Sequence, residues 1–185
     1  MKRIFLLVCA ALGLASPGRG ESELLRTLFL EGEGGVAMPQ GNLSRHFDPV
    51  PEFGLRITSA YYGPLLAHIL VHGARLDGPE TPAPVWLGAG GVGLEYRPAR
   101  AWLPAPGIGV SLNYGRVLKA DVPAGREFFI EDGETEFGFY PSLRWRIPLG
   151  RTWFLTADLK EDLVMTEPKY SRTGAAHLGA GWRLK

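Results

Sequence analysis

Cysteine is nearly missing from this chain of 185 residues: the single one, Cys9, lies in the apolar run Ile4 to Leu14 that follows Met1-Lys2-Arg3. A basic start, an apolar stretch and then small residues is the order of a secretory signal peptide. Residues 1–20 are therefore expected to be removed, with the cut after Ala15 or after Gly20, each with a glycine at minus three. The bulky Val8 before Cys9 argues against a lipoprotein site. A mature chain without thiols excludes disulfides and thiolate metal centres.

The second absence is a long hydrophobic run. No stretch of about 18 apolar residues follows residue 20, so a membrane could be crossed only by strands. The third is an excess of one charge. The chain has 20 Lys and Arg against 19 Asp and Glu, and loss of Lys2, Arg3 and Arg19 leaves 17 basic residues against the 19 acidic. That balance carries no nucleic-acid footprint. What the sequence does have is glycine and proline, 25 and 15 of them, which favours many short strands punctuated by turns over residues 21–185 read as one domain.

Period-two alternation bounded by turn residues marks eight segments, roughly 24–37, 53–62, 65–76, 84–97, 105–117, 135–148, 152–163 and 174–184. The sixth is the clearest: Phe137, Phe139, Leu143, Trp145 and Ile147 alternate with Glu136, Tyr140, Ser142, Arg144 and Arg146. In the second, Leu55, Ile57 and Tyr61 oppose Arg56 and Thr58; in the seventh, Trp153, Leu155 and Leu159 oppose Asp158 and Lys160. The third departs from the pattern, because Leu66 and Leu70 share a face with His68 and His72.

The links alternate in length. Those at 38–52, 77–83, 118–134 and 164–173 are long, those at 62–64 and 149–151 are tight, and 98–104 is intermediate. Long loops at one end and tight turns at the other are the habit of outer-membrane barrels, and place the N-terminus on the periplasmic side. With the apolar face outward, Tyr61, Tyr96, Trp145, Trp153 and Trp182 fall at the periplasmic strand ends, and Phe53, Trp86, Tyr114 and Phe137 at the extracellular ends. These are two aromatic girdles. Trp86 and Tyr96 are ten residues apart, which at about 3.3 Å per residue and a tilt near 40° spans roughly 25 Å of membrane normal.

The chain ends His177-Leu178-Gly179-Ala180-Gly181-Trp182-Arg183-Leu184-Lys185. His177, Gly179, Trp182 and Leu184 resemble the C-terminal assembly signal of outer-membrane β-barrel proteins, departing from it in ending on Leu184 and Lys185. The stretch Gly35 to Ser44 through Phe47-Asp48-Pro49 resembles the first strand and loop of the outer-membrane β-barrel domain family. The resemblance implies a closed eight-stranded antiparallel up-and-down barrel, inserted into outer-membrane lipid by the barrel assembly machinery. It implies little about activity.

The polar face supplies Glu31, Glu33, Arg56, Glu95, Glu136, Arg144, Arg146, Asp158, Lys160 and Arg183, five acids and five bases. An eight-stranded barrel is just wide enough for side chains to fill, so these are expected to interlock as a lumenal ion-pair network. Gly88-Ala89-Gly90-Gly91-Val92-Gly93 matches the dinucleotide-binding spacing, but Leu94 to Pro98 continues the strand where a helix would be needed. His68 and His72 in a strand lie about 13 Å apart, too far for one ion. No catalytic residue, cofactor or metal site is assigned. The loop from Ala120 to Glu134 holds Phe128-Phe129-Ile130 among acids, either a partner surface or an extension of the strand.

The expectation is an exported bacterial outer-membrane barrel, monomeric, with a structural or surface-interaction role and no enzymatic activity. Two alternatives belong to other classes. A lipid-modifying barrel enzyme needs a nucleophile and base at one rim; a soluble secreted ligand-binding barrel needs the apolar face inward.

Overall fold

The computed structural model describes residues 28–41, 44, 47–76, 85–100, 103–117, 135–165 and 170–184. The expected signal peptide, residues 24–27 of the first segment, His46 and the loop from Ala120 to Glu134 lie outside them. Eight strands follow in chain order: β1 (Phe29–Gln40), β2 (Val50–Tyr62), β3 (Leu65–Leu76), β4 (Val85–Tyr96), β5 (Ala105–Val117), β6 (Thr135–Pro148), β7 (Trp153–Met165) and β8 (Tyr170–Arg183).

Each strand pairs antiparallel with its chain neighbours, and β1 pairs with β8 from Phe29↔Arg183 to Gln40↔Arg172, which closes an up-and-down barrel. Closure leaves no edge strand exposed. The first and last described residues sit at one end, here the terminal end, where Leu184 N donates to Leu28 O at 2.9 Å. At that terminal end β2 turns into β3 through Gly63 and Pro64; Gly63 has a φ of +54°, a left-handed conformation that favours glycine. At the opposite, loop end the links are 41–49, 77–84, 118–134 and 166–169.

Two expectations about length and phase are corrected. The β7–β8 ladder runs on to Met165↔Tyr170, so the last link is only 166–169, shorter than 97–104 at the terminal end. Strict alternation of link lengths therefore fails at that hairpin. In β2 the register with β3 shifts between Ala60 and Tyr62, so Tyr61 is an extra residue. A one-residue bulge reverses the phase of a strand beyond it. Tyr62 is accordingly the outward aromatic, 74% exposed, and Tyr61 is half-buried.

Glycines of β4 and β5 make room for two rings in the interior. Tyr140 is fully buried and shares a hydrogen bond of 3.0 Å with His68 Nε2. These two rings occupy space that Gly91, Gly93 and Gly109 leave: a Cβ on Gly93 would come within 2.7 Å of His68 Nε2, and one on Gly109 would run into the Tyr140 ring. The outward Gly88 and Gly90 of the same motif have nothing within 4 Å of a Cβ. Gly91 and Gly93 of β4 thus serve as clearance for lumenal rings. Gly109→Ala should cost about 1–3 kcal/mol by overpacking, whereas Gly88→Ala should change stability by about 0.5 kcal/mol or less. Urea midpoints of the two folded variants would check this.

Candidate functional site

Inward positions of the eight strands stack into three layers. At the terminal end lies an apolar plug that the alternation of polar residues did not suggest: Phe29, Leu66 and Phe154 are buried together, with Ala60 against them. The Phe29 and Phe154 rings meet edge to face, centroids 5.6 Å apart. Arg146 and Arg183 lie over the Phe29 ring at 5.6 and 5.3 Å. Arg183 is exposed there, so it caps the barrel mouth and is not part of the buried network expected of it.

Above the plug, Arg146 and Arg144 of β6 reach across to β1. Arg146 Nη2 donates to Glu31 Oε1 at 2.8 Å and to Glu95 Oε2 at 3.1 Å. Arg144 donates from Nη1 to Glu31 Oε2 at 2.5 Å and from Nη2 to Glu33 Oε2 at 2.6 Å, with Asp158 Oδ2 at 3.2 Å. Arg56 Nη2 reaches Asp158 Oδ2 at 3.4 Å. Two parallel donors from one planar guanidinium are why arginine rather than lysine fills this position.

Towards the loop end a third layer forms around Glu52. His72 Nδ1 and Glu52 Oε1 are hydrogen-bonded, and His177 Nε2 lies 3.1 Å from Glu52 Oε2. Lys160 Nζ lies 3.5 Å from Glu52 Oε1 and 2.9 Å from Asp162 Oδ2. Glu136, the remaining member of the expected set, is half-buried near the start of β6.

Glu52 and Asp162 were not among the expected lumenal charges, and they change the count. The buried carboxylates are Glu31, Glu33, Glu52, Glu95, Asp158 and Asp162. Four cations, Arg56, Arg144, Lys160 and the nearly buried Arg146, face them. Among the buried groups of the described residues, the five-to-five balance read from the sequence is thus replaced by six carboxylates against four arginine and lysine cations, an excess of two negative charges when the histidines are neutral.

The outer surface is the inverse of the lumen. Phe53, Leu55, Val71, Val92, Leu94, Ile108, Val110, Leu112 and Leu178 are all exposed. At the loop end Phe53, Trp86, Tyr114 and Phe137 are exposed, and at the terminal end so are Tyr96, Trp153 and Trp182. Trp153 and Trp182 stack, centroids 5.7 Å apart, while Trp145 is half-buried. The soluble ligand-binding barrel, which needs an apolar interior, has the opposite polarity.

Similar structures share this architecture. Neisserial surface protein A (NspA) superimposes with a TM-score of 0.57 at 16% identity, covering 84% of this chain and 96% of its own. The outer membrane protein OprG from Pseudomonas aeruginosa gives 0.51 at 12% identity, covering 86% and 97%. The Yersinia pestis outer membrane protein Ail gives 0.51 at 12% identity, covering 84% and 98%. The chain has the fold of these small eight-stranded outer-membrane barrels. No family model and no curated protein matches the sequence.

Within this outer-membrane barrel fold the C-terminal residues have packing tasks of their own. His177 is buried in the lumen, a Cβ on Gly179 would come within 2.7 Å of Thr156 Oγ1, and Trp182 faces outward. Leu184 closes the β1–β8 seam through its backbone.

Proposed function

We propose that this chain is an exported bacterial outer-membrane protein, with residues 1–20 removed and the apolar band set in lipid. The barrel assembly machinery inserts it, and it works as a monomer with a structural or surface-interaction role and without catalysis. The observation that carries the reading is the inverted polarity: ion pairs fill the inside while leucines, valines and aromatics face out. In water such an exterior would be an aggregation surface of great extent; in a bilayer it is the favourable one. Side chains crossing the lumen from β6 to β1 support a plugged barrel over an open pore. Two of the similar structures are named a surface protein and an attachment invasion locus protein, which supports the surface role, with the loop-end links as the place to look for a partner.

The test is a heat-modifiability gel on cell fractions. A band in the outer-membrane fraction that migrates differently before and after boiling is expected. Recovery in the soluble periplasmic fraction, with no shift, would overturn the reading.

A further inference from the structure

We propose that Glu33, Asp158 and His177 form a lumenal binding site for one divalent transition-metal ion of the zinc class. One ligand atom from each of the three lies within 4.8 Å of the others, and all three residues are buried, at 6%, 2% and 3% exposure. Two of the donors are polar atoms with no hydrogen-bond partner among the described residues: His177 Nδ1 and Asp158 Oδ1. A buried polar atom left without a partner costs about 1–3 kcal/mol, so an explanation is required for two of them side by side.

The surroundings of His177 say which partner fits. Its Nε2 lies 3.1 Å from Glu52 Oε2. A carboxylate there accepts an N–H, and in the neutral ring this leaves the lone pair on Nδ1, the side of Asp158. A histidine oriented by a carboxylate on its far nitrogen is the usual outer-shell arrangement of a metal ligand. His177 Nδ1 and Asp158 Oδ2 are 3.8 Å apart, too far for a hydrogen bond. Gly35 keeps the place of the ring, since a Cβ there would come within 2.7 Å of it.

Charge points the same way. Arg144 holds Glu33 Oε2 at 2.6 Å and Asp158 Oδ2 at 3.2 Å, and Arg56 lies 3.4 Å from the same Asp158 oxygen and 4.0 Å from Glu33 Oε1, which leaves Asp158 Oδ1 as the unengaged oxygen. Among the described buried groups, with the histidines neutral, carboxylates outnumber arginine and lysine by two, and one divalent ion offsets that excess where unpaired buried charge is most costly. A nitrogen donor beside two carboxylates favours zinc and its neighbours over calcium or magnesium, which take oxygen shells.

The test uses the mature barrel refolded in detergent micelles, stripped with a chelator and shown to be folded by heat modifiability, so it is independent of where the protein resides. Calorimetric titration with Zn²⁺ should give one ion per barrel. His177→Gln and Asp158→Asn should each weaken binding about tenfold or more, and His46→Ala should leave it unchanged. Co²⁺ should give visible absorption bands that His177→Gln removes. Should neither lumenal variant fold, the native barrel decides: absence of saturable Zn²⁺ binding and of cobalt bands overturns the site. So does binding that survives both variants unaltered.

Discussion

Arg144→Met should destabilise the barrel by about 3–5 kcal/mol, the cost of breaking a buried ion-pair set by removing one partner. Arg144 is the side chain on which the middle layer converges. It contacts Glu31 at 2.5 Å, Glu33 at 2.6 Å and Asp158 at 3.2 Å, all of them buried. Methionine fills the volume but leaves three carboxylates with one fewer cation among them. Arg56 is already engaged, 3.4 Å from Asp158 and 4.0 Å from Glu33. The loss should show as a lower urea midpoint of the heat-modifiable band, measured with chelator present. The cost is that of stranded charge, so adding Glu31→Gln and Glu33→Gln should recover much of it. A triple variant no more stable than Arg144→Met would show instead that the guanidinium acts through packing or hydrogen bonding that amides cannot replace.

Val110→Arg should cost about 2–4 kcal/mol in a bilayer, because an outward cation at mid-depth must be desolvated by lipid. Val110 is exposed on β5 and lies opposite Val92 of β4, between the Trp86 and Tyr96 girdles. Leu112→Arg, two positions nearer to the Tyr114 girdle, should cost less, since the penalty falls towards the interface. Insertion into lipid vesicles, followed by the same gel shift, measures both. Equal tolerance of the two substitutions would mean that this face does not meet hydrocarbon.

Much of this was legible in the chain, for a physical reason. A strand with different solvents on its two faces must alternate, and the expected spans for β3, β5 and β6 coincide with the observed ones while the others differ at their ends. The outward aromatics followed from the same rule, except where the extra Tyr61 shifts the phase. A bulge leaves no mark in a pattern of apolar residues when two tyrosines adjoin. Phe29 and Phe154 were hard to read because an apolar residue at an inward position near a strand end looks like an error of phase. Glu52 stood in a span read as loop, and the β7–β8 ladder extends past the expected end of its hairpin.

Alternation is a local property: it depends on each residue's neighbours two places away, and it was enough to mark eight strands and the two faces of each, while the outward turn of the apolar face was read from the aromatic girdles and closure from the family resemblance. Which charge meets which is not local. Glu31 and Arg144 are 113 residues apart in sequence, Glu52 and His177 are 125 apart, and nothing along the chain says that β6 reaches across to β1 or that β8 sets its histidine against β2. Those distances are set by the register of all eight ladders together and by the narrow bore that closure produces. The balance of lumenal charge, the apolar plug and the meeting of Glu33, Asp158 and His177 therefore belong to the closed barrel, because only a completed ring brings opposite walls within hydrogen-bond reach.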